Sequence, residues 1–173
     1  MQVFKLTAIL MLLAAVGFSS CERTVERDVI IDNVLFGIDT IPVYSSAAEK
    51  NRVKTPTQFV STLYANLYLR PISSSTLSDL SLLQLSNGDK GMVNELFIQS
   101  FLADPVVQDG IPSYDEMRNE PEQFIRDSYL RFFLRLPTAY ESYGLVQKIE
   151  NDAELTPESM YRAFLLSNEY YFY

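Results

Sequence analysis

The segment Pro56-Thr57-Gln58-Phe59-Val60 returns 65 positions later as Pro121-Glu122-Gln123-Phe124-Ile125. The register holds through Tyr64 and Tyr129, Leu67 and Phe132, Tyr68 and Phe133, Leu69 and Leu134, and Arg70 and Arg135. Further on the offset falls to 63, where Phe101-Leu102 meets Phe164-Leu165. Apolar positions coincide by chance between any two amphipathic helices. A Pro, a Gln-Phe pair, a Tyr and an Arg in step ask for more than periodicity, and they point to an internal duplication.

Each copy reads as helices. Residues 56–70 place Phe59, Val60, Leu63, Tyr64, Leu67 and Tyr68 on one stripe of an α-helix. Pro56 suits the first turn, with Thr55 as its N-cap. A second helix is predicted over 75–86, with Leu77, Leu80 and Leu83 inward and Asn87-Gly88 as its stop. A third is predicted over about 91–103, with Val93, Leu96, Phe97, Phe101 and Leu102 inward, closed by Asp104-Pro105. The pattern restarts at Pro121, whose helix to Arg135 turns Phe124, Ile125, Tyr129, Phe132 and Phe133 inward. Thr138 to Asn151 follows, and Thr156-Pro157 opens a last helix that buries Met160, Tyr161, Phe164 and Leu165. The expected fold is all-α: two tandem three-helix units, repeat 1 over 55–105 and repeat 2 over 121–173, joined by a solvated connector at 106–120.

Ahead of the repeats stands a different kind of sequence. Lys5 is the one charge before a 13-residue apolar run, Leu6 to Phe18, followed by Ser19, Ser20 and Cys21. That run is too short for roughly 30 Å of hydrocarbon and suits the core of a secretory signal peptide over 1–20. Its end resembles the lipobox of bacterial lipoproteins. The resemblance implies cleavage before Cys21 and a diacylglyceryl group on its sulfur. At about 0.8 kcal/mol per buried methylene, two or three acyl chains hold a protein to a membrane. Phe18 stands where Leu is usual, and Glu22, Glu26 and Asp28 follow the cysteine, interrupted by Arg23 and Arg27. Such features resemble Bacteroidota lipoproteins, and they imply the cell envelope, in the outer membrane, with either face open. Residues 21–54 read as a partly ordered, extended tether carrying two apolar clusters, Val29-Ile30-Ile31 and Val34-Leu35-Phe36.

The second copy resembles a bacterial domain-of-unknown-function family of short helical modules, similar in turn to phycobilisome linker domains. The family pattern runs Phe-x4-Tyr-x4-to-5-Arg-x-Pro, a helix, then Phe-x2-Ser-x-Glu followed by Tyr or Phe. Phe124, Tyr129, Arg135, Pro137, Phe164, Ser167, Glu169 and Tyr170 fit it over about 50 residues. The first copy, 56–105, fits in part, with Asp104-Pro105 where Ser-x-Glu belongs. The resemblance implies a scaffold or interaction role and carries no catalytic site.

Composition narrows the chemistry. The chain has no His, no Trp and one Cys. Ser-His and Cys-His catalysis, His-ligated metals and an internal disulfide are therefore excluded. Loss of Lys5 with the leader takes the formal balance from −8 to −9. Such a surface repels phosphate backbones, so no nucleic-acid partner is expected. No cofactor or metal is expected either: Asp115, Glu116, Glu120 and Glu122 lack the ligand spacing of a Ca²⁺ loop. Arg70 and Arg135 read as helix-end caps or ion pairs, Arg135 with Glu169. Ser73-Ser74-Ser75 reads as a turn and N-cap cluster. Tyr170, Tyr171, Phe172 and Tyr173 form an aromatic tail, either a binding surface for a protein or glycan or a segment folded onto the core. The leading expectation is a non-catalytic envelope lipoprotein serving as an interaction, scaffold or assembly module. The alternatives are a small enzyme or glycan-binding accessory in polysaccharide processing, and an accessory to envelope redox proteins.

Overall fold

Helix boundaries in this chain follow its caps. The structure, a computed structural model, describes residues 43–173. The expected leader 1–20, the acylation position Cys21 and the apolar clusters between Val29 and Phe36 lie outside the described residues. Eight α-helices follow in order: α1 (Pro56–Tyr68), α2 (Ser74–Ser86), α3 (Lys90–Leu102), α4 (Pro105–Gln108), α5 (Tyr114–Asn119), α6 (Pro121–Phe133), α7 (Ala139–Asn151) and α8 (Pro157–Leu166). Thr55, Ser73, Asp89, Asp104, Ser113, Thr138 and Thr156 each accept a hydrogen bond from the first turn of the helix they precede. Such caps satisfy amide groups that the helix itself leaves free. The fold is all-α; among the described residues, extended pairing is limited to two isolated bridges, Tyr44 with Arg135 and Val53 with Phe172.

α1 and α6 each run for 13 residues and start 65 positions apart, as do α2 and α7. Both first helices end in a leucine with left-handed backbone, Leu69 at φ 54° and Leu134 at φ 53°. α1 packs on α2 and α3, α6 on α7 and α8, and α3 lies against α8. One continuous core joins both triplets, from Phe59, Leu63 and Leu67 through Phe97 and Ile98 to Phe132, Phe164 and Tyr170.

Three expectations change. The segment 106–120 is not a solvated connector: it holds α4 and α5, and it buries Val107 and Met117. Met117 sits on the face of α5 that packs on α6 and α7, so this stretch belongs to the core. α2 does not turn Leu83 inward. It buries Ser81 and Gln84 instead, leaving Leu82, Leu83 and Leu85 66%, 50% and 59% exposed. Leu96 of α3 likewise faces out at 56%, while Asn94 is buried and accepts a hydrogen bond from Gln84. Leucine stands at 77, 80, 82, 83 and 85, so periodicity alone cannot choose a face; packing on α1 and α3 chooses it. Finally, the arginines do not end their helices. α1 and α6 stop at Tyr68 and Phe133, and Arg70 and Arg135 lie two residues beyond.

Candidate functional site

Arg135 is the best-anchored charge in the described chain. The left-handed Leu134 turns the backbone out of α6, and Tyr44 of the tether then pairs with it, donating from its N–H to the Leu134 carbonyl at 2.8 Å. This places the guanidinium, 3% exposed, over the rings of Tyr129 and Phe133. It grips two carboxylates. Nη1 and Nη2 donate to Glu141 at 2.9 and 2.7 Å, and Nε and Nη2 donate to Glu169 at 2.7 Å each. The Lys50 ammonium adds a bond to Glu169 at 2.8 Å. Glu141 is also the third residue of α7, where it completes a capping box with Thr138. Four separate parts of the chain therefore meet here: tether, α6–α7 loop, α7 and tail.

The electrostatics follow from that packing. Hydrogen bonds from Arg135 hold the Glu141 carboxyl down at about 2. Burial by itself would raise Glu169, but its bonds from Arg135 and Lys50 more than offset this and keep it below the usual carboxylate range. Bonding to Glu141 and Glu169 raises Arg135 further. Planar two-point contacts of this kind are the strongest ion pairs proteins make, and every strong acceptor here is occupied. The cluster is built to hold parts together.

Beside it runs a shallow groove of about 380 Å³ between α6, α7 and α8. Its walls are Tyr129, Phe133, Leu145 and Phe164, with Gly144 at an open edge and Tyr140, 87% exposed, at its rim. Its two carboxylates, Glu141 and Glu169, are those already held by Arg135.

The aromatic tail is not a free surface. A 3-10 turn, Asn168–Tyr171, capped by Ser167, folds it back. Tyr170 is fully buried, edge-on to Phe59 of α1 and Phe132 of α6. Its hydroxyl accepts from Asn66 at 3.2 Å. Tyr171 stacks on Phe59 at 5.2 Å. Residues 52–54 pair with 171–173 along the backbone, leaving Tyr171, Phe172 and Tyr173 half-buried. The expected binding surface is thus largely core, because α1 and the tether together form the groove that receives it. Arg70 stays exposed, and among the described residues no carboxylate lies within ion-pair distance of it. Asp104 accepts instead from the Tyr68 hydroxyl at 2.7 Å. Ser73 caps α2, and Glu116 completes the box that opens α5. No group of three metal-ligating side chains is assembled among the described residues.

Sequence reasoning missed Lys50, Lys54 and Glu141. For Glu141 a signal existed in Thr138-x-x-Glu141, the capping-box spacing. The two lysines sit in a tether without period, so nothing local marks them. No family model, curated protein or solved structure matches the chain.

Proposed function

We propose that this protein is a bacterial envelope lipoprotein, anchored in the outer membrane through acylated Cys21, whose helical body is a non-catalytic interaction or assembly module. The anchoring half of the reading rests on the apolar run ending Ser19-Ser20-Cys21. The interaction half rests on one observation in α2. Leu82, Leu83 and Leu85 stand in water. The positions 65 residues on, in α7, are Gln147, Lys148 and Glu150. Ser81 and Gln84 seat α2, and the three exposed leucines beside them offer apolar surface that suits a partner protein. The shared lengths and left-handed stops of α1 and α6 support descent of the two triplets from one duplicated module. A glycan-binding reading has its own support in the exposed Tyr140 beside the aromatic groove.

The test has two arms in cells expressing the full chain. Labelled palmitate should enter the wild type and not Cys21→Ala. A photo-crosslinking residue at position 82 or 85 should trap a discrete envelope protein, while one at 147 or 150 should not. Equal labelling of Cys21→Ala removes the anchor. Crosslinks from 140 to polysaccharide, with none from α2, would replace the protein-interaction reading with the glycan one.

A further inference from the structure

Between the tether, α1 and the tail lies a small cavity of about 50 Å³. Lys50, Lys54, Thr62 and Asn66 line it, with aromatic walls that include Phe133 and Tyr173. Two ammonium groups reach this space, and they are not equivalent. Lys50 is compensated by Glu169 at 2.8 Å. Lys54 lies 4.1 Å from the ring centre of Tyr170 and 5.4 Å from that of Tyr173, and its ammonium donates to the Tyr170 carbonyl. Among the described residues no carboxylate lies within ion-pair distance of it. Lys50 and Arg135 are paired with Glu169 and Glu141, and Lys54 lies beside them at the cavity without such a partner among the described residues.

We propose that this cavity is a binding site for a small monovalent anion, of the size of formate or chloride. A half-buried cation without a counter-charge is costly, and a cavity that admits its counter-ion offsets that cost. The donors suit an anion. Lys54 brings three N–H groups, of which the Tyr170 carbonyl uses one. Asn66 has a second amide hydrogen besides the one given to Tyr170. The volume admits one water-sized or slightly larger guest and little more. Sulfate, phosphate esters and sugars are too large.

Occupancy is coupled to the proton on Lys54. Burial, with the repulsion of Lys50 added, brings its ammonium down to about 7. The other titratable groups facing it work in the same sense or stay silent near neutrality. Glu169 is committed to Arg135 and Lys50, and the phenols of Tyr170 and Tyr173 are pushed upward. An anion therefore binds together with a proton above pH 7. Because the site is closed by Lys54 of the tether, Thr62 and Asn66 of α1, and the tail, its occupant clamps the tail in place.

The experiment uses the purified chain and sodium formate or sodium chloride as probe, at constant ionic strength made up with sodium sulfate. The melting temperature should rise saturably with each probe. Calorimetric heats at pH 8 should shift with the ionisation enthalpy of the buffer, reporting proton uptake. Lys54→Met keeps the stem, removes the unpaired charge and should abolish both effects. A non-saturating response, or one identical in Lys54→Met, overturns the site. If Lys54→Met fails to fold, the wild-type buffer dependence decides: heats independent of buffer at pH 8 overturn the proposal.

Discussion

The two helix triplets solve one packing problem with opposite surfaces. α7 is amphipathic: Ile149 is buried while Lys148 and Glu150 face water. α2 is inverted at the matching positions, with Gln84 buried 65 residues before Ile149 and Leu83 and Leu85 exposed. The loops differ as much. After α6, Arg135 is buried between two carboxylates; after α1, Arg70 stands in solvent. The second triplet gathers its ion pairs around Arg135 and the tail, while α2 of the first turns Leu82, Leu83 and Leu85 to solvent. The first two helices of each triplet match in length and spacing, and the placement of their charged and apolar side chains does not.

The sharpest way to break this contrast is at the arginines. Arg135→Ala leaves Glu141 and Glu169 without their main partner and should cost about 3 kcal/mol, the scale for removing one member of a buried ion pair. Arg70→Ala should stay within about 0.5 kcal/mol, as exposed substitutions do. Urea unfolding of both variants reads the difference; equal losses would mean the two loops are energetically alike. Acid sharpens the same point. Glu141 is held at about 2 against an ordinary 4.5, and Glu169 is also depressed. Their folded forms lose protons more readily than their unfolded forms, so they contribute stability fully above about 4.5. That contribution disappears as pH falls from there toward 2, and Arg135→Ala should flatten this part of the profile while Arg70→Ala should not.

A second comparison is the polar pair inside the first triplet. Gln84 donates to Asn94, and the Gln84 carbonyl oxygen has no protein partner. Asn94→Leu strands Gln84 and should cost about 2 kcal/mol, the penalty for an unsatisfied buried amide. Adding Gln84→Ile, the residue found 65 positions on, should bring stability back to within about 1 kcal/mol of wild type, because replacing both partners is nearly neutral. A double-mutant cycle measures it. Strictly additive effects would show that the buried pair is not a unit and that the inversion of α2 does not depend on it.

Much of this fold was legible. Thr55-Pro56, Thr138 and Thr156-Pro157 marked helix starts by cap chemistry, and α6 and α8 announced their inner faces through regular aromatic spacing. What was hidden had physical reasons. A helix with leucine on every side carries no periodic signal, so the face of α2 was settled by α1 and α3. Met117 is a lone apolar residue in a charged run, too sparse to mark a helix that packs. The Arg135 cluster was half visible: Glu169 lay in a recognisable pattern and Glu141 in a capping box, while Lys50 comes from a segment without period. The tail's aromatics admit both a surface and a core reading, because only the tertiary groove over Phe59 decides between them.

The smallest expected effect tests the feature the triplets share most closely. Leu69 and Leu134 both take left-handed backbone, at φ 54° and 53°, where a β-carbon crowds the following carbonyl. A leucine there costs about 1–2 kcal/mol that glycine escapes, although glycine also gains freedom in the unfolded chain. Leu69 is 72% exposed, so Leu69→Gly gives up little packing and should raise stability by about 0.5–1 kcal/mol. In a chain of this size that is about 2 °C in melting temperature. Leu134 is half-buried and lines the small cavity beside Lys54, so Leu134→Gly also loses apolar burial and should come out near neutral. The backbone relief is common to both sites, and the side chain makes the difference. A Leu69→Gly variant that melts below wild type would mean its exposed side chain contributes more than its strain costs, and the first triplet's loop would then be held by contacts of its own.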